Sequence, residues 1–136
     1  RARAAAQSII PTTTGAAKAV TEIFPDLKGM IGGAGIRVPV IDGSITDITC
    51  ILKKDATVEA INQKFLEASQ GSMKGIIEYT TDPIVSVDII GNTHSCIFDS
   101  MLTSVLGKMV KVVGWYDNEM GYSTRLAELT ALVGKK

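Results

Sequence analysis

Residues 109–116 form a β-type run carrying Val110, Val112 and Val113, and it opens directly into the polar turn Asp117-Asn118-Glu119. Beyond the turn, Tyr122, Leu126, Leu129 and Val133 recur at helical spacing, which predicts a helix over about residues 119–133. Junctions of this kind are where proteins of mixed α and β structure gather ligand chemistry. Asn118 is therefore a candidate ligand contact. The competing use of Asp117 or Asn118 is to cap the helix.

The rest of the chain does not alternate strand and helix. Residues 2–10 are compatible with a short helix ended by Pro11, and Thr14 is a plausible cap for a helix over about residues 15–24. The span 25–29 is a turn. Ile36, Arg37 and Val38 read as a strand with Pro39 near its end, and residues 45–52 read as another, rich in β-branched side chains. Thr57 caps the clearest helix, about residues 58–69, with Val58, Ile61, Phe65 and Leu66 at helical spacing and Gly71 at its end. Val85, Val87 and Ile89 alternate with Ser86, Asp88 and Ile90, which predicts a strand after Pro83. Residues 95–98 make a short strand. The order points to one α+β domain, with helices packed on one face of a mixed or antiparallel sheet.

Composition excludes several classes. Fourteen basic residues balance fourteen acidic ones among 136, so the basic excess of a general nucleic-acid binder is missing. No apolar run approaches the length of a membrane-spanning helix. Cys50 and Cys96 fit no metal-binding pair and no disulfide framework, so a reducing cytoplasm is the default. The chain starts at Arg1, in an Arg/Ala-rich stretch that contains no acid before Glu22. A transit peptide has this composition, but Pro11 to Gly15 interrupt any long amphipathic helix. A cut after a basic residue is the better expectation.

Four places carry candidate chemistry. Thr14 and Gly15 open a helix, so a hydroxyl, backbone N–H groups and the positive end of the dipole meet there; this suits phosphate, with Arg1, Arg3 and Lys18 adding charge. The bland alternative is a simple cap, and no GxxxxGK[ST] loop occurs. Arg37, within an apolar run, is either paired with a carboxylate or presented to an anion. Asn118 offers both a donor and an acceptor to a ligand amide. His94 and Cys96, two apart on a strand, share a face, but nothing obvious orients the imidazole. A lone His offers no metal cluster. Gly32 to Gly35 precede a strand and make no dinucleotide fingerprint.

The motifs R-A-R-A-A-A-x-S-I-I-P-T-T-T-G-A-A-K-A-V, G-x-x-x-R-V-P-V, K-G-I-I-x-Y-T-x-D-P-I-V-S and K-M-V-K-V-V-x-W-Y-D-N-E-x-G-Y-S stand in order along the chain. In sequence and spacing they resemble the C-terminal part of the catalytic domain of the glyceraldehyde-3-phosphate dehydrogenase family, from Arg1 to Lys136. Erythrose-4-phosphate dehydrogenase is a close sibling. The resemblance implies a glycolytic oxidoreductase that uses NAD, with NADP left open, and a cytoplasmic homotetramer acting on glyceraldehyde 3-phosphate and inorganic phosphate. It assigns Arg1, Thr14 and Gly15 to inorganic phosphate and Arg37 to the C3 phosphate. It assigns Asn118 to the nicotinamide carboxamide and Tyr122 to packing beside that ring.

In the family the nucleophilic cysteine lies in an S-C-T-T-N-C motif and the base is a later histidine; both precede the position of Arg1. Cys50, Cys96 and His94 fall at neither position. The expectation is a catalytic-domain fragment over residues 1–136, with the NAD-binding Rossmann domain absent, no catalytic residue of its own and no activity alone. Its own N-terminal half would be a possible partner. The rival expectation is a stand-alone phosphate-binding or oligomerisation module.

Overall fold

A computed structural model describes residues 3–135. Its elements are β1 (Ile10–Thr12), α1 (Ala16–Ile23), β2 (Gly35–Arg37), β3 (Ser44–Ile51), α2 (Val58–Gln70), β4 (Ile77–Thr80), β5 (Cys96–Leu106), β6 (Met109–Tyr116) and α3 (Met120–Val133). They fall into two compact units, one ending at Ile41 and the other starting at Asp42.

In the first unit β1 and β2 form an antiparallel ribbon, with Ile10 opposite Arg37 and Thr12 opposite Gly35. The helix expected over residues 2–10 is not found in the described part of that span. A single 3-10 turn, Ala5–Gln7, precedes β1, and Pro11 lies inside the strand. A helix of that length is marginal in water, and pairing with β2 claims the backbone instead. The N-cap position of α1 falls to Gly15 and not to Thr14, whose Oγ1 instead closes the turn before it by accepting a hydrogen bond from the Ala16 N–H at 3.2 Å.

The second unit is built on a four-stranded sheet in the order β3-β6-β5-β4. Three of its strands run antiparallel, while β4 pairs parallel to β5, with Ile77 opposite Cys96 and Thr80 opposite Asp99. The sheet is thus mixed and the domain α+β, as the element order predicts. Thr57 caps α2 through its Oγ1, which accepts from the Ala60 N–H at 3.2 Å. From α2, Phe65 stacks on Phe98 of β5 with ring centroids 3.9 Å apart. Ile89, Ile97, Phe98, Val110 and Val113 form the buried core. Fully burying side chains of this size contributes about 2–3 kcal/mol each.

Two strand expectations are corrected. The span 85–90 is not a strand: Ser86–Ile89 is a 3-10 turn. Its alternation does not separate a buried face from an exposed one, since Val85 and Val87 are exposed and Ile89 alone enters the core. The turn is held locally, because the Asp88 carboxylate accepts from the Val85 N–H at 2.7 Å. The strand on that edge is β4, which comes earlier. The strand expected over 95–98 runs on to Leu106, where Gly107, at φ +59°, turns the chain back into β6. Between Asp99 and Ser104 the register with β6 shifts. Asp99 anchors the departure, its carboxylate accepting from the Met101 N–H at 3.1 Å and from the Trp115 Nε1–H at 3.0 Å.

The helix after β6 forms where the sequence predicts it. Gly121 lies against the His94–Ser95 backbone, where an added Cβ would stand 2.6 Å from the His94 carbonyl oxygen. Arg125 donates to the Gly75 carbonyl at 3.0 Å and pairs with Glu128. Among the described residues, no helix is long and apolar enough to cross a membrane.

Candidate functional site

The turn between β6 and α3 divides its work between two adjacent residues. Asp117 is buried. Its Oδ1 accepts from the Glu119 and Met120 N–H groups, both at 2.8 Å, and its Oδ2 accepts from the Gly91 N–H at 2.8 Å. Hydrogen bonds to the charged form favour it. The Met120 N–H, followed by those of Gly91 and Glu119, holds the Asp117 carboxyl down to about 2 from an ordinary 3.8. Asp117 is therefore the cap of α3 and also its tie to the 91–95 segment.

That leaves Asn118 free of capping duty and exposed. Its Oδ1 accepts from the Ser44 hydroxyl at the start of β3. Ser44 stands opposite Tyr116 in the β3–β6 register, two residues before Asn118. No other side-chain hydrogen bond of Asn118 occurs among the described residues, so both Nδ2 hydrogens remain available to a ligand. Tyr122 lies one turn further along α3 and is 70% exposed.

The anion candidates belong to the other unit. Thr14 Oγ1 is used as an acceptor by Ala16, which leaves its hydroxyl hydrogen free to donate outward beside Gly15. Arg37 is exposed, and the ion pair considered for it is not found among the described residues. The register sets Arg37 opposite Ile10, whereas Thr14 follows Thr12 at the other end of β1. The ribbon alone thus separates their ends by roughly 7 Å. Arg37 and Thr14 therefore do not belong to one cluster on the ribbon. Arg1 lies outside the described residues.

His94 and Cys96 do not form a dyad. The His94 Nδ1 faces the Glu78 carboxylate at 3.0 Å and the Asn92 Oδ1 at 2.9 Å, and no hydrogen bond joins His94 to Cys96 among the described residues. Glu78, from a strand the sequence did not announce, supplies the orienting group that seemed to be lacking. Cys96 packs against Gly114, where an added Cβ would stand 2.5 Å from its Sγ, and burial raises its thiol pKa. Cys50 is a free, exposed cysteine on β3. Among the described residues, no group of three or more His, Cys, Asp or Glu is placed to hold a metal ion.

Sequence reasoning missed Ser44 as well. Nothing local marks it, since its partner lies 74 residues away. Its backbone is set by the glycine before it: Gly43 adopts φ +93° and fits so closely that an added Cβ would stand 2.8 Å from the Ser86 carbonyl oxygen.

The family described as "Glyceraldehyde 3-phosphate dehydrogenase, C-terminal domain" matches residues 1–118, a span that includes Asn118 and stops before Tyr122. The chain is similar to glyceraldehyde-3-phosphate dehydrogenase of Mycobacterium avium, 57% identical over 135 residues, covering 99% of this chain and 40% of that protein. The corresponding protein of Mycobacterium leprae (strain TN) is 53% identical over 135 residues, with the same shares. Glyceraldehyde-3-phosphate dehydrogenase 2 of Streptomyces avermitilis is 52% identical over 137 residues, covering 100% of this chain and 41% of that protein. The chain thus spans about two fifths of the length of these curated relatives.

Proposed function

Since the chain belongs to the family of the C-terminal domain of glyceraldehyde 3-phosphate dehydrogenase, we propose that it carries the anion and carboxamide contacts of a phosphorylating, NAD-dependent dehydrogenase of glyceraldehyde 3-phosphate. The observation that carries this reading is the division of labour at the 117–119 turn. Asp117 takes the capping bonds, and Asn118 keeps its amide hydrogens for a ligand. NAD, when bound, supplies the hydride acceptor; every other role below belongs to the protein.

Asn118 donates from Nδ2 to the carboxamide oxygen and so fixes which ring face is presented. Tyr122 packs beside the ring. The Thr14 hydroxyl and the Gly15 N–H, at the positive end of α1, hold inorganic phosphate together with Arg1. The Arg37 guanidinium holds the C3 phosphate of the substrate through paired N–H bonds. Cys96 is not placed as an activated nucleophile: partial burial raises its thiol pKa, and His94 is committed to Glu78. Residues 1–136 on their own are accordingly proposed to lack turnover, and dehydrogenase rates typical of enzymes from the purified chain would contradict this.

The same reading makes the protein part of a cytoplasmic homotetramer. Two free cysteines suit a reducing compartment, and the exposed Ile45, Ile48 and Ile51 along β3 suit burial between subunits.

Phosphate titration against thermal stability tests the anion contacts, because a ligand that binds only the folded state raises Tm. Millimolar phosphate is expected to raise the Tm of the chain, and Arg37→Ala and Thr14→Ala each to reduce that rise. An undiminished rise in Arg37→Ala would remove Arg37 from the site.

A further inference from the structure

We propose that Ser44 is a positioning residue for Asn118: its hydroxyl fixes the amide so that Nδ2, and not Oδ1, faces the ligand. The inference rests on the reading of Asn118 as the carboxamide contact. An asparagine amide has two ends of opposite hydrogen-bonding character, and rotation by half a turn exchanges them. An exposed Asn118 with no partner would present either end. The nicotinamide carboxamide also has two ends, so an unfixed Asn118 would accept either orientation of it. The Ser44 hydroxyl donates to Oδ1 and removes that freedom.

Ser44 is itself held on three sides. Its backbone begins the β3–β6 ladder opposite Tyr116. The preceding Gly43 donates its N–H to Asp42 Oδ1 at 2.7 Å, and its approach to Ser86 and Ile89 leaves no room for a side chain. The 86–89 turn it leans on is anchored by Ile89, a core residue. The backbone of Asn118 is fixed in turn, because the residue before it is locked by three hydrogen bonds to Asp117. Two rigid backbones therefore hold a single adjustable bond between them, as a positioning contact requires.

The test uses the whole 136-residue chain, labelled with 15N, and the variants Ser44→Ala and Ser44→Thr. In the ligand-free state, the Asn118 side-chain amide pair is expected to be ordered in the wild type and in Ser44→Thr, and mobile in Ser44→Ala, while the backbone spectrum away from residues 43–45 and 117–119 stays unchanged. A fold role alone would not move that pair. Titration with oxidised nicotinamide mononucleotide is then expected to shift the Asn118 pair, with affinity about 3- to 10-fold weaker in Ser44→Ala and restored in Ser44→Thr. An Asn118 pair that stays equally ordered, or binding that stays equally tight, in Ser44→Ala overturns the role of Ser44. A wild-type pair that is ordered yet indifferent to the titrant overturns the carboxamide reading of Asn118, and this proposal's ligand with it.

Discussion

At the residue scale, Asp117 and Asn118 are both good capping residues, and only contacts far along the chain decide which one caps. Gly91, 26 residues upstream, donates to Asp117 and claims it for structure. The consequence is visible in pH. The Asp117 carboxyl is depressed in the folded state to about 2, from 3.8. Above pH about 4 it is ionised both folded and unfolded, and its contribution to stability is fully present; as the pH falls toward about 2 the unfolded chain takes up the proton first and that contribution is lost. Asp117→Asn is expected to lower Tm at pH 6 by on the order of 5 °C. Its urea midpoint should also fall less steeply than the wild type's between about pH 4 and 2. Parallel pH profiles for the two proteins would show that the carboxylate is not what ties α3 down. The hydroxyl that caps α2, on Thr57, was legible in sequence because a cap acts within three residues of itself.

At the scale of elements, β3, α2, β6 and α3 stand within a residue or two of where periodicity puts them, because each has a long stretch of consistent spacing. The 85–90 span does not, because alternation over six residues describes a strand only if a sheet covers one side of it. Here Val85 and Val87 face solvent while Asp88 closes a 3-10 turn. β4 is four residues long and pairs in parallel with a strand that begins at Cys96, so no local pattern could announce it. Contact between elements also reverses the sign of a common substitution. Gly121→Ala improves intrinsic helix propensity by about 1 kcal/mol. Yet its Cβ would sit 2.6 Å from the His94 carbonyl oxygen and 3.1 Å from the Ser95 Cα. The substitution is expected to destabilise the chain by about 1–3 kcal/mol in urea unfolding. A more stable variant would mean that α3 is free to move off residues 94–95.

At the scale of the whole molecule, burial is unequally shared. All five core hydrophobics lie beyond residue 42, and among the described residues up to Ile41 none is buried. Local stability follows burial and hydrogen bonding. In native-state hydrogen exchange, amides of β5 and β6 near Phe98, Val110 and Val113 are expected to be the slowest. Those of α1 and of the β1–β2 ribbon are expected to exchange faster by at least about a hundredfold, the difference that about 3 kcal/mol of opening free energy produces. Equal protection in both units would contradict the inequality of burial.

What the chain's sequence determined by itself is its class and its family. Helical and β-type periodicity, the capping Thr57 and the ordered motifs that end in W-Y-D-N-E are local or contiguous, and local physics carries them. Tertiary structure alone decided the parallel pairing of β4, the 3-10 turn under Gly43, the commitment of His94 to Glu78 and the bond from Ser44 to Asn118. Each of these joins residues through folded space, and nothing in the spacing of either partner encodes the other. A hydrogen bond 74 residues long in sequence exists only because the β3–β6 register brings the start of one strand to the end of the other.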